Sequence, residues 1–135
     1  MSSFAPAFPP RLGLRHVALV VSDLAAAERF WVEVMGYEVE WRPDPDNVYL
    51  HGGHDNLALH RGPARRPTDG SSQLDHIGIA VAAPADVDAW AAHLRARGVA
   101  LKTEPKTHRD GSRSIYFHGP EEVLIQVIHH APMVG

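Results

Sequence analysis

From Leu14 to Val21 the chain reads LRHVALVV, an alternation that puts Val17, Leu19 and Val21 on one side of an extended strand and His16, Ala18 and Val20 on the other. The pattern returns from Leu74 to Val81, LDHIGIAV, where Ile77, Ile79 and Val81 oppose His76, Gly78 and Ala80. Each copy has a bulky face on which a helix can pack and a second face where one histidine has room around it. Two such strands predict a sheet with a cavity.

The segment after each histidine strand repeats as well, as a duplicated unit should. Ser22 or Asp23 can cap a helix that runs to Met35 and stops at Gly36, with Leu24, Ala27, Trp31 and Val34 at helical spacing. Phe30 and Trp31 read as core. In the second copy Pro84 suits a first helical turn, Asp86 and Asp88 suit its positive end, and Val87, Trp90, Ala91 and Leu94 make an apolar stripe ending at Gly98. The two histidines lie 60 positions apart and the two glycines 62, so the halves run nearly in step.

Three strands are predicted after each helix. In the first half these are Tyr37 to Arg42, whose YEVEWR alternates as a half-buried strand does, then Asn47 to His51 and Asn56 to Arg61. In the second they are Ala100 to Glu104, Ser112 to His118 and Val123 to His129. The polar, turn-rich stretch from Gly62 to Gln73 links the halves, with Arg65 and Arg66 solvated. The fold class is α+β: two βαβββ modules forming a cupped mixed β-sheet with helices on its outer face. Residues 1–13 read as an N-terminal arm, with Phe4 and Phe8 free to lie across the domain or a partner. One domain occupies 14–135, as module 14–62, linker 63–73 and module 74–130. The charged turn from Lys106 to Gly111 reads as a solvated hairpin or a lid.

Composition narrows the partners. At 135 residues, 44% hydrophobic and 21% charged, the chain suits one core, and a formal charge of −3 gives no basic footprint for nucleic acid or an anionic membrane. The absence of cysteine removes disulfides, thiolate ligands and cysteine nucleophiles and agrees with a cytoplasmic protein. The first dozen residues lack the apolar run of a signal peptide or membrane span.

Three stretches, RHVALVVSDLAAAERFWVEVMGYEVE, LDHIGIAV before a second helix, and SRSIYFHGPEEVLIQVI, resemble the vicinal oxygen chelate superfamily over nearly everything after residue 13. That superfamily includes glyoxalase I, methylmalonyl-CoA epimerase, extradiol dioxygenases, fosfomycin-resistance thiol transferases and bleomycin-binding proteins. The resemblance implies a divalent metal ion (Zn, Ni, Mn or Fe) held on the first and last strands of the modules, here by His16, His76 and Gln126. Gln126 stands where the family carries a glutamate, and the first-module counterpart falls near Leu59, so both carboxylates are missing. A neutral ligand set offsets less of the ion's charge and should hold it more weakly.

The remaining roles rest on the same resemblance. His60 and His51 are candidates for a catalytic base, His60 requiring a bulge to face inward and His51 reaching in from the neighbouring strand. RSIYF resembles the phosphonate-binding strand of the fosfomycin enzymes, which makes Ser114, Tyr116 and His118 candidate substrate contacts together with Tyr49. The resemblance thus implies metal-assisted lyase, isomerase or dioxygenase chemistry on a small oxygenated molecule. The alternative is a metal-free small-molecule binding protein of the bleomycin-resistance type. Either implies a homodimer.

Overall fold

A computed structural model describes residue 10 and residues 12–63 and 74–131 of the chain. The expectations for Phe4 and Phe8 in the arm and for Arg65 and Arg66 in the linker lie outside the described residues. The first module comprises β1 (His16–Val21), α1 (Leu24–Arg29), a π-helical turn (Phe30–Val34), β2 (Glu38–Asp44), β3 (Asn47–His51) and β4 (Asn56–Arg61). The second comprises β5 (Ile77–Ala80), α2 (Pro84–Ala96), β6 (Leu101–Thr107), β7 (Arg113–His118), a 3₁₀ turn (Pro120–Glu122) and β8 (Leu124–His129). The chain is therefore two βαβββ modules of the α+β class.

Each module forms its own mixed four-stranded sheet, in the orders β1-β4-β3-β2 and β5-β8-β7-β6. The first and last strands pair in parallel and the others antiparallel. Val17, Leu19 and Val21 share their face with Leu57 and Leu59, and this apolar face meets α1. Ile77 and Ile79 share theirs with Ile125 and Val127 against α2. These faces and both helices contribute to one continuous core, in which Trp31, Phe117, Leu50 and Leu94 are among the largest side chains enclosed.

The helices end alike. Gly36 and Gly98 take φ of +77° and +78°, a backbone region that costs glycine nothing. In the first module the chain widens before this stop. Met35 N–H donates to the Phe30 carbonyl at 3.2 Å and Tyr37 N–H to the Trp31 carbonyl at 2.8 Å, so the predicted single helix is an α-helix finished by a π turn.

The outer strands carry a duplicated irregularity. In β2, Val39 pairs with Leu50 and Trp41 with Tyr49, so one extra residue, Glu40, is accommodated as a bulge. In β6, Leu101 pairs with Phe117 and Thr103 with Tyr116, which repeats the bulge 62 positions later at Lys102. Each strand shifts register a second time, before Asp44 and before Lys106. Both β2 and β6 lie at sheet edges, and β2 is exposed along its whole length rather than half-buried.

Polar contacts among the described residues tie the modules together at two places. Glu121, at φ +57° in the turn between β7 and β8, accepts hydrogen bonds at 2.8 to 3.0 Å from the Ser22 N–H, the Ser22 hydroxyl and the Asp23 N–H at the start of α1. Asp23 then caps the helix itself by accepting from Ala26 N–H at 3.0 Å. On the other side, His93 of α2 bonds through Nε2 to the Val34 carbonyl at 2.8 Å.

Hydrogen bonds to a charged group are worth about 1.5–3 kcal/mol. The Glu121→Ala variant is expected to lose about 2 kcal/mol of stability in urea unfolding. A midpoint equal to the parent's would show that the contact contributes nothing.

Candidate functional site

The face of each sheet turned away from the helices carries the polar residues. On β1 this face presents His16, Ala18 and Val20, and the parallel register sets them beside Asn56, Ala58 and His60 of β4. Asn47, Tyr49 and His51 continue the face on β3, and Trp41 on β2. In the second module Gly78 lies beside Gln126, and Gln126 beside Tyr116.

His16 and His76 line one cavity of about 280 Å³ between the facing edges β1 and β5. Its walls are apolar apart from a few groups, among them Tyr37, Asp55 and Asn56. Both histidines are anchored through Nδ1. His16 Nδ1 lies 2.7 Å from the Asn56 side-chain oxygen, and the Asn56 amide nitrogen donates to Glu40 at 2.8 Å, which fixes the amide's orientation. His76 Nδ1 lies 2.7 Å from an Asp75 carboxylate oxygen, while the edge of its ring meets Tyr116 at a centroid distance of 5.2 Å. An oxygen acceptor at Nδ1 holds the proton there and leaves the Nε2 lone pair for a ligand.

Gln126 is buried, at 8% exposure, and opens on a neighbouring, wider cleft of about 860 Å³. That cleft also holds Tyr116 and is bordered by Lys106 and Arg109. Ser114 shares the Tyr116 face but is 2% exposed, because His108 folds over it with Nε2 at 2.8 Å from the hydroxyl. The turn after β6 is thus an ordered one, braced by His108, Ser112 and Asp110. The Ser112 hydroxyl and N–H donate to the Asp110 carboxylate and hold its pKa below the ordinary value, with His130 and His108 assisting. His118 is exposed and borders neither cavity; its register partner is Leu124, level with His76 two strands away.

Arg113 turns its guanidinium to the helix side, as strict alternation requires, and grips Asp88 of α2 with bonds of 3.0 and 2.7 Å. This ion pair lowers the Asp88 pKa. Asp88 therefore acts on β7, and it is Asp86 that caps α2, by accepting from the N–H of Ala83, the residue before the helix, at 3.0 Å.

Two positions in β4 differ from the sequence expectation. Leu59 is fully enclosed in the core, and the true counterpart of Gln126 is Ala58: Tyr49 pairs with Ala58 as Tyr116 pairs with Gln126. His60 consequently shares the open face without any bulge. Its Nδ1 lies 2.6 Å from the Asn47 oxygen, and Asn47 donates to Asp44 at 2.9 and 3.0 Å. His60 nevertheless sits four residues along β4 from Asn56, about 13 Å from the level of His16. It is too remote to serve as a base at the histidine cavity. His51 stands level with His16, about 10 Å away across two strand spacings, with Glu38 at 3.8 Å from its Nε2.

Among the described residues, no three His, Asp or Glu side chains converge as a metal-binding group. The donors nearest to such a group are the two imidazoles that line the cavity, with the Gln126 amide in the neighbouring cleft on the strand beside Gly78. This is a neutral set of the kind that fits a weakly held divalent ion. No helix among the described residues is long and apolar enough to cross a membrane.

Tyr37 closes the inner wall of the histidine cavity. Its hydroxyl donates to Asp55 at 2.6 Å, and its ring lies so close over Gly52 that an added Cβ would sit 2.4 Å from it. Burial, then the hydrogen bond to Asp55 and that carboxylate's charge, push the phenol's pKa well above its ordinary value. An unfolded phenol ionises near pH 10, at about its ordinary value. The contribution of Tyr37 to stability is therefore complete below about pH 10 and declines above it. Unfolding midpoints on either side of about pH 10 should show this loss in the parent and a smaller one in Tyr37→Phe. An equal loss in both would assign it to other groups.

Comparison with known proteins agrees with this architecture. A model of the glyoxalase/bleomycin resistance protein/dioxygenase superfamily matches residues 13–127. Among solved structures, a lactoylglutathione lyase from Agrobacterium tumefaciens is 23% identical, with 91% of this chain and 97% of that one covered at a TM-score of 0.74. The genomically encoded fosfomycin resistance protein of Listeria monocytogenes is 21% identical over 90% of this chain and 95% of its own, with a TM-score of 0.71. A glyoxalase/bleomycin resistance protein/dioxygenase from Alicyclobacillus acidocaldarius is 21% identical over 88% and 92%, again at 0.71. With its paired βαβββ modules and a family match that spans most of its length, the chain belongs to the glyoxalase/bleomycin resistance protein/dioxygenase superfamily.

Proposed function

We propose that this protein is a metal-assisted enzyme acting on a small oxygenated substrate, in which His16, His76 and Gln126 hold a divalent ion of the Zn, Ni, Mn or Fe kind. The observation that carries this reading is the pair of Nδ1 anchors. His16, at the start of β1, and His76, one residue before β5, border one cavity, and each has an oxygen acceptor at Nδ1, which favours Nε2 as the lone pair. The ion, when bound, supplies Lewis-acid polarisation of a substrate oxygen.

The chain's own residues do the rest. Asn56, oriented by Glu40, and Asp75 hold the two imidazoles in place. Lys106 and Arg109 give the adjoining cleft positive charge, and the Tyr116 hydroxyl can donate to an anionic oxygen there. Ser114 reaches such a substrate only when His108 moves aside, and His118 reaches it only from outside the cleft. Without a carboxylate at Ala58 or Gln126, proton transfer falls to His51 or to the substrate's own groups. The fosfomycin-resistance and lactoylglutathione lyase structures have the same fold under names for two such chemistries.

Elemental analysis of tag-free protein tests this reading, with metal titration by calorimetry. One ion per chain is expected, lost in His16→Ala and His76→Ala. Asn56→Ala should weaken binding about 10- to 100-fold, as loss of an orienting partner does, and Gln126→Glu should tighten it. If both histidine variants bind as the parent does, the ligand assignment fails. A parent that takes up no ion from zinc, nickel, manganese or ferrous solutions would leave the second reading, a metal-free binding protein of the bleomycin-resistance type. The neutrality of the donor set favours that alternative.

We also propose a homodimer. Leu12, Leu14 and Leu74 are 79%, 95% and 51% exposed, and the last two stand at equivalent places at the mouth of the histidine cavity. A second subunit would cover this apolar rim. Light scattering should give twice the 14.8 kDa chain mass at micromolar concentration, and a monomer mass would refute the dimer.

A further inference from the structure

The duplicated bulges allow the open faces of the two modules to be compared position by position. Glu38 occupies the place of Ala100, Glu40 that of Lys102, Trp41 that of Thr103 and Asp44 that of Lys106. Backbone and register are the same, but the chemistry is opposite. At these matched positions the second module is basic and hydroxylic, and the first is acidic and aromatic.

Trp41 is the residue that the fold does not explain. It is 60% exposed, although it belongs to the open face and not to the core. It is held in place by stacking on Tyr49, at 5.3 Å between ring centroids and 20° between planes, while His60 meets Tyr49 edge-on at 6.0 Å. Around this platform stand Glu38, Glu40 and Asp44. Among the described residues none of the three pairs with a lysine or arginine, because Arg42 is taken by Glu28 and Arg61 by Asp46. Their contacts are with His51 at 3.8 Å for Glu38 and with the side-chain amides of Asn56 and Asn47 for Glu40 and Asp44, so the face keeps negative charge, and a π-face beside such carboxylates attracts an organic cation.

We propose that the Trp41–Tyr49 platform binds an organic cation, a substituted ammonium or a planar cationic ring. The inference goes beyond the proposed function and rests only on the open face being a ligand-binding face. Trp41 on β2 and Lys106 on β6 stand on the outermost strands of the two sheets, so the platform is a site separate from the Lys106–Arg109 cleft. An organic cation answers both the indole face and the surrounding carboxylates, and the other occupant of complementary charge, the basic β6 of a second copy, is told apart in the test by chain mass.

The test is a calorimetric titration of the metal-free, chelator-treated protein with phenyltrimethylammonium and, separately, benzenesulfonate. Quenching of the exposed Trp41 fluorescence is followed in the parent. Saturable binding of the ammonium probe is expected, about ten-fold or more tighter than the sulfonate and weaker at high salt. Trp41→Leu, a substitution at an exposed position, should weaken it about two- to five-fold, the size of an exposed cation–π contact, and Glu38→Gln should weaken it less. Equal binding of the two probes, or an unchanged affinity in a folded Trp41→Leu protein, would overturn the assignment. So would ammonium binding that appears only when a divalent ion is restored, or a chain mass that doubles only while Trp41 is present. Because the titration omits metal, a failure here is distinct from a failure of the histidine ligands.

Discussion

The parallel pairing of the first and last strand in each module is the constraint on which the rest depends. It forces Leu57 and Leu59 to accompany Val17 and Leu19 into the core, and Ile125 and Val127 to accompany Ile77 and Ile79. Every other residue is then committed to the opposite face, including His16, Asn56 and His60 in one module and Gly78 and Gln126 in the other. A slip of one residue would exchange the two sets and bury the histidine-bearing face. Core packing and site composition are thus one choice made in two directions. The apolar face sets the register, and the register sets which polar groups meet.

Small polar residues then set the state of the histidines. Asn56 and Asn47 are each aligned by a carboxylate, Glu40 and Asp44, and each passes that alignment to an imidazole nitrogen. The acids of β2 therefore act on the tautomers of residues on other strands while keeping their own negative charge on the open face. In the second module Asp75 does the same work directly on His76. The two halves use different means to present an Nε2 lone pair, and they surround it with opposite charge.

Much of this is legible in the sequence. The repeated histidine strands, the glycine stops and the strands Asn47–His51 and Asn56–Arg61 arise from local alternation and turn chemistry; the last two have those bounds, whereas β1 starts at His16 and not Leu14, and β5 runs only from Ile77 to Ala80, which leaves His76 just outside it. The phase of NLALH is not legible, because Leu57, Ala58 and Leu59 are all buried and only pairing with β1 decides which of them belong to the core face. For that reason the sequence alone points to Leu59 for the place that register gives to Ala58. The face of Trp41 is equally hidden. YEVEWR groups it with Val39 by simple alternation, and only the bulge at Glu40 turns it to the other side. The covering of Ser114 by His108 depends on a turn whose sequence looks merely solvated.

The contact between Glu121 and the start of α1 spans 99 residues of chain, and the equivalent loop of the first module does not return it, since Asp55 is occupied by Tyr37 and Gly52. The modules are copies in architecture but not in the order in which they can be completed. The start of α1 is therefore capped twice, locally by Asp23 and from nearly the other end of the chain by Glu121. Long-range closure of this kind slows folding.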